Sequence, residues 1–229
     1  MNPKFPDAAF SLRALARLLS YPDAGLRSQL SAMRDALHGE AAIGPSRLAE
    51  IDALIGSLAG GDPIEVEAAY VQLFDRGRAT SLHLFEHVHG DSRDRGPAMI
   101  DLAQTYEQAG LYLAPGELPD YLPVVLEFAS TQPPREARAF LAEMAHILNA
   151  VYSALQQRRS AYAGVLAALL EFAGEKPHEV SVPLEAPLDE SWTEPAAFEG
   201  CATAGQAKPG EPQPLHFVRN DASRKGAAA

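Results

Sequence analysis

Strand-forming residues are scarce in this chain. Valine, isoleucine and threonine together number 21 of 229 residues, against 41 alanines and 28 leucines. β-Branched side chains favour strands, whereas alanine and leucine are among the best helix formers, so an all-α fold is expected. Cysteine occurs once, as Cys201, which excludes an intramolecular disulfide and any multi-cysteine zinc or iron–sulfur site. Cations are in the minority, Lys+Arg 19 against Asp+Glu 30, for a net charge of -11 with histidine neutral. That balance argues against nucleic acid as the ligand, because phosphate binding relies on clustered cations, and it is compatible with a basic peptide as partner. No apolar run is long enough to span a bilayer, so no stable membrane insertion is expected. The opening Met1-Asn2-Pro3-Lys4-Phe5-Pro6-Asp7 has no basic region followed by an apolar stretch, which reads as a cytoplasmic chain without a secretory signal.

What is present is helical periodicity through about residue 174. Leu12, Leu15 and Leu19 share a face, as do Leu26, Leu30, Met33 and Leu37; Leu48, Ile51, Ile55 and Leu58 repeat the pattern. Asp62-Pro63-Ile64-Glu65 has the form of a helix start, with a capping aspartate, proline at the first helical position and glutamate three after the cap. Val66, Tyr70 and Leu73 continue that helix inward. Pro97 and Gly110 bracket another, with Ile100, Ala103 and Tyr106 as its apolar face. Further helices are expected over 119–130, 135–158 and 160–173, the longest carrying the stripe Phe140, Met144, Ile147, Val151 and Leu155. Short connections join them, so residues 1–174 are read as one all-helical bundle, with about 170 ordered residues enough to bury a core without covalent staples. Residues 175–229 hold seven of the 18 prolines and few apolar residues, and are expected to form a largely disordered acidic tail. Within it, residues 188–201 contain Trp192, Phe198 and Cys201, which a solvated linker does not need, and are read as a docking island.

The stretch 70–101 concentrates the chemistry. Between Asp75 and Arg95 lie eleven ionisable groups: Asp75, Arg76, Arg78, His83, Glu86, His87, His89, Asp91, Arg93, Asp94 and Arg95. His83-x-x-Glu86-His87 matches the pattern of inverted zinc peptidases, with both histidines one helical turn apart. Such a site needs a third ligand, and none of Glu107, Glu117, Glu127 and Glu143 is marked for the role. The same residues read more simply as the junction of buried and wet helix faces. Asp75-Arg76-Gly77-Arg78 and Arg93-Asp94-Arg95-Gly96 pair arginine with glycine as an anion nest would, but the neighbouring aspartates favour internal ion pairs. Ser81 and Ser92 lie outside any Gly-x-Ser-x-Gly elbow, so no nucleophilic enzyme is indicated. A binding groove is the better reading. Leu73, Phe74, Leu84 and Phe85 would line it, and a partner helix would lay its apolar face there. The turn Gly116-Glu117-Leu118-Pro119-Asp120-Tyr121-Leu122-Pro123, stiffened by two prolines, would form a second wall. Asp120 also reads as an ordinary helix cap.

These residues resemble a known family. Tyr70-x-x-Leu73-Phe74-Asp75-Arg76-Gly77-Arg78 and Ser81-Leu82-x-Leu84-Phe85-Glu86-His87-Val88-His89-Gly90-x-Ser92-Arg93-Asp94-Arg95-Gly96-x-Ala98-Met99 are similar to the signature of the NarJ-type nitrate reductase assembly chaperones, the nitrate reductase δ subunits of the wider TorD/DmsD-like group. Leu19-Ser20-Tyr21-Pro22-Asp23, Glu117-Leu118-Pro119-Asp120, Leu122-Pro123-x-x-Leu126-Glu127 and the island Trp192…Glu194…Phe198…Cys201 fit as well, over about 12–202. The resemblance implies a TorD-like helical chaperone without catalysis, bound cofactor or metal, absent from the finished enzyme. It would bind the N-terminal peptide of the catalytic α subunit of respiratory nitrate reductase. It would hold the αβ complex from its membrane anchor until the molybdenum bis-molybdopterin guanine dinucleotide cofactor is inserted, in contact with cofactor-delivery proteins. In the wider group a Glu-x-Pro-Asp-His turn is associated with signal-peptide binding; here Glu117, Pro119 and Asp120 match, and Tyr121 stands where histidine is common. Position 83 is His where other members can have an apolar residue, which weighs against a zinc pair. Charged reading of the peptide is assigned to Glu86, Glu117 and Asp120. Asp75, Arg76, Arg78, Asp91, Arg93, Asp94 and Arg95 are assigned to ion pairs that support the groove.

Overall fold

The computed structural model describes residues 7–90 and 92–181. Among them the chain forms ten α-helices: α1 Ala9–Leu18, α2 Ala24–Glu40, α3 Pro45–Gly60, α4 Pro63–Tyr70, α5 Leu84–Val88, α6 Arg95–Gln108, α7 Leu122–Thr131, α8 Pro134–Glu143, α9 Ala145–Gln157 and α10 Ala163–Ala173. The expected all-α fold is what forms. Extended pairing among the described residues is confined to a single antiparallel bridge between His83 and Tyr121. No helix among them is long and apolar enough to cross a membrane.

Helix starts follow their local chemistry. Asp62 caps α4, its Oδ1 accepting from the amides of Ile64 and Glu65 at 3.0 and 3.2 Å, with Pro63 in the first turn where a missing N–H costs nothing. Asp23 caps α2 by accepting from the Leu26 amide at 2.7 Å. The centre of the bundle is α10, in which Val165, Leu166, Leu169 and Leu170 are all fully buried. A helix apolar on every side is stable only when wrapped by others. α3, α8 and α9 surround it, while α1 packs on α2 and α7.

Several expectations are corrected. The apolar stripe predicted over 135–158 is real, but the helix breaks at Met144, whose backbone leaves helical geometry (φ -96°, ψ 2°). The break lets α8 lie against α7 and α10 while α9 continues along α10. Periodicity does not register it because the apolar spacing continues across the joint. α4 does not run on regularly to Leu73: residues Val71–Asp75 form a π-turn, closed by the Arg76 amide on the Val71 carbonyl at 3.1 Å. Such turns insert a residue into the helix and are frequent at functional sites. α6 starts at Arg95, and of its predicted apolar face only Tyr106 is buried, Ile100 being 59% exposed. α7 begins at Leu122 rather than 119, because the preceding residues take part in the bridge.

α10 ends in a left-handed Gly174 (φ 90°), with the Glu175 amide returning to the Leu170 carbonyl at 2.9 Å. Beyond it the chain turns back on α9. The His178 amide donates to Asn149 Oδ1 at 3.1 Å and the Val180 amide to Ser153 Oγ at 2.9 Å, both acceptors being buried side chains. Asn149 and Ser153 are polar residues in an apolar helix, and this strap accounts for them. The island 188–201 lies outside the described residues.

Candidate functional site

Two short elements meet where the signature stretch passes the 117–121 turn. The Leu122 amide donates to the Leu82 carbonyl at 2.8 Å and the Leu84 amide to the Asp120 carbonyl at 3.0 Å, tying the segments into the His83–Tyr121 bridge. Asp120 is fully buried. Its carboxylate accepts from the Phe85 amide at 3.1 Å, lies 3.4 Å from His83 Nδ1 and 3.7 Å from a terminal nitrogen of Arg95. Asp120 therefore does not cap α7, which follows it, but the start of α5, some 35 residues earlier. A buried charge requires such partners. Beside it Ser81 donates to Glu86 at 2.6 Å, and Arg95 approaches the other Glu86 oxygen at 3.4 Å.

His87 Nε2 lies 2.8 Å from the Ser81 carbonyl, which can only accept, so this nitrogen carries the proton. His83 sits before α5 in extended backbone, with its ring 5.1 Å from that of Tyr121. The two histidines of the zinc-like pattern thus face different partners. Among the described residues no group of three or more His, Cys, Asp or Glu is arranged to hold a metal ion.

An open cavity of about 610 Å³ lies alongside this junction, with Tyr21, Tyr70, Phe74, Leu118 and Tyr121 as apolar wall and Arg17, Asp75, His83, Glu117 and Glu127 as polar rim. Phe74, Tyr121, Glu117 and Asp75 are thereby brought together. Others fall elsewhere: Leu73 lines a separate concavity between α3, α4 and the start of α10, and Leu84 is fully buried in the core. Phe85 is half-buried with its ring against His89, and Pro119 is buried with its carbonyl accepting from the Tyr106 hydroxyl at 2.8 Å. Glu117 is exposed and accepts from the Ala114 amide at 2.8 Å. Of the expected ion-pair residues, Arg95 reaches Glu86 and Asp120 rather than its neighbour Asp94, which accepts from Ser92 Oγ. Arg76 donates to Gln72 at 3.4 Å; Arg78 and Arg93 are exposed; Asp91 lies outside the described residues. Tyr21, Tyr70, Arg17 and Glu127 were not singled out as site residues. Tyr21, Tyr70 and Glu127 fall within the signature segments, and that membership was the available signal.

Tyr70 holds the cavity floor to α1. Its hydroxyl donates to the Leu19 carbonyl at 2.7 Å and lies 3.3 Å from that of Tyr121, while its ring meets Phe74 at 4.8 Å. Burial, reinforced by Tyr121, raises its pKa above the ordinary tyrosine value. The folded chain keeps this proton at a pH where the unfolded chain has released it. The contribution to stability is therefore whole below about pH 10 and declines as pH rises beyond it. Urea unfolding should show wild type losing up to about 1.4 kcal/mol more per pH unit than Tyr70→Phe above pH 10. The variant should be about 1 kcal/mol weaker at neutral pH. Parallel pH profiles would contradict a buried, proton-retaining phenol.

The family model described as nitrate reductase delta subunit matches residues 22–168, well over half of the chain. The nitrate reductase molybdenum cofactor assembly chaperone NarJ of Escherichia coli (strain K12) is 45% identical over 159 residues, 69% of this chain and 67% of that protein. A protein of Bacillus subtilis (strain 168) bearing the NarJ name is 34% identical over 165 residues, 72% of this chain and 88% of its own length. Among solved structures, a redox enzyme maturation protein from Archaeoglobus fulgidus superposes with a TM-score of 0.51 at 21% identity, covering 73% of this chain and 94% of that one, which speaks for the shared fold. On the family match and these identities, the chain belongs to the nitrate reductase delta subunit family.

Proposed function

We propose that this chain is a dedicated assembly chaperone for respiratory nitrate reductase, acting in the cytoplasm at the stage of molybdenum cofactor insertion. Its client is the cofactor-free αβ complex, which it engages through the N-terminal peptide of the catalytic α subunit and keeps from the membrane anchor until the cofactor is in place. Cofactor-delivery proteins meet the complex at that stage. The chaperone performs no catalysis, retains no cofactor and leaves the finished enzyme. Support for the reading comes from the names of its relatives. The observation that carries the peptide site is the open cavity walled by Tyr21, Phe74, Leu118 and Tyr121, with Asp75, Glu117 and Glu127 outnumbering Arg17 at its rim. An apolar seat flanked by carboxylates suits one face of a basic amphipathic helix: burial supplies affinity and charge speeds encounter.

Asp120, Glu86 and Leu84 serve this seat from behind. They fix α5 and the 117–121 turn against each other, and so set the position of Tyr121 and His83 on the wall. Calorimetry of the full chain with the α-subunit N-terminal peptide should show saturable binding, weakened about tenfold or more by Tyr121→Ala, the loss expected for a central aromatic anchor. Absence of binding to the wild-type chain would overturn the peptide reading. Pull-downs should recover the chain with cofactor-free reductase and not with the mature membrane complex; recovery with the latter would make it a structural subunit.

A further inference from the structure

A second concavity, of about 340 Å³, adjoins the first. Leu111, Tyr112, Leu113 and Phe128 give it apolar walls, and it shares Glu117, Val124 and Glu127 with its neighbour. The two therefore meet at a waist formed by one face of α7 and the 116–118 turn. Tyr112 is 80% exposed at the rim of the second concavity, and Leu118, 43% exposed, stands at that of the first.

The waist carries a carboxylate without a direct partner among the described residues. The Glu127 carboxylate has no hydrogen-bond or ion-pair partner among the described residues. Its pKa is raised, first by burial and then by the charge of Glu117. Arg13 and Arg17 on the α1 wall act in the opposite direction without cancelling the rise; Arg13 Nε donates to Ser130 Oγ at 3.1 Å and Arg17 pairs with Asp23 at 3.4 Å, so neither makes a direct bond to Glu127. Two neighbouring carboxylates, one of them without a direct partner among the described residues, leave a place that a cation would fill favourably.

We propose that the client segment occupies both concavities at once as an amphipathic helix, seating one apolar side chain in each and presenting a lysine or arginine between them to Glu127 and Glu117. This rests on the peptide reading above and adds to it a required order: apolar, basic, apolar on one face. On a helix that order corresponds to apolar residues at i and i+7 with the cation at i+3 or i+4. Glu127 is the specificity-determining residue of the pair, because Glu117 already accepts from the Ala114 amide.

Calorimetry with the α-subunit N-terminal peptide separates the possibilities. Glu127→Gln should weaken binding about fivefold, the upper range for a partly exposed ion pair. Replacing the peptide's central basic residue with glutamine should do the same, and combining the two changes should add little. Leu113→Ala and Tyr112→Ser should each weaken binding several-fold without lowering thermal stability, whereas Ile64→Ser, on an exposed face of α4, should not change it. If Tyr121→Ala weakens binding but Glu127→Gln, Leu113→Ala and Tyr112→Ser do not, the client is seated in the first cavity alone and the two-site inference is wrong. If the wild-type chain does not bind the peptide, the peptide reading falls and this inference with it.

Discussion

Asp120→Ala is expected to destabilise the chain by about 3–5 kcal/mol, the cost of removing one partner from a buried charged network. The carboxylate is the acceptor for the Phe85 amide at the start of α5 and faces both His83 and Arg95. Alanine would leave that amide without an acceptor and a half-buried guanidinium with Glu86 as its remaining ion-pair partner among the described residues. Asp120→Asn keeps an acceptor for the amide while losing the charge, so a smaller loss of about 1–2 kcal/mol is expected. Urea unfolding followed by helical circular dichroism would measure both. For a chain of this size 3 kcal/mol corresponds to a fall of about 6–12 °C in thermal midpoint. The outcome also separates two roles for the same residue. A ligand contact would lose peptide binding at unchanged stability, whereas a carboxylate that caps α5 loses stability first.

Leu126→Ala should cost about 3 kcal/mol, by a different mechanism. Leu126 is fully buried on α7, and truncation removes transfer free energy and leaves a void that a close-packed neighbourhood fills only in part. The same helix turns Val124 and Glu127 outward to the cavities, so its inner face sets where its outer face stands. Leu118→Ala, on the exposed turn, should change stability by no more than about 0.5 kcal/mol. A Leu126→Ala chain as stable as wild type in denaturant would mean that α7 does not anchor this region.

The amphipathic stripes of α1, α2 and α3 were legible from spacing alone, since burial of one face is what a 3.6-residue period encodes. The α4 start was legible because a cap is chemistry within a few residues. The break at Met144 was not, because both halves keep their apolar faces inward and only the packing of α8 and α9 demands a bend. Ile100 misled for a related reason: a repeating apolar residue marks a face, but does not say that anything covers it. At the candidate site, the signature named Phe74, Glu117 and Tyr121, which the fold brings together on one cavity wall. It left open which carboxylates lie inside and which outside, as residues adjacent in sequence are not those that pair in space. Arg95 passes over Asp94 for Glu86 and Asp120.

By itself the sequence determined an all-helical chain, the ends of several helices and its membership in a family, all properties carried by local spacing and by a contiguous motif. Only the tertiary structure decided that Asp120 is an internal cap, that Leu84 is core, and that Glu127 stands at the junction of two cavities without a direct partner among the described residues. Those roles depend on which distant segments share a low-dielectric interior, where a charge must find partners and a carboxylate at the surface need not.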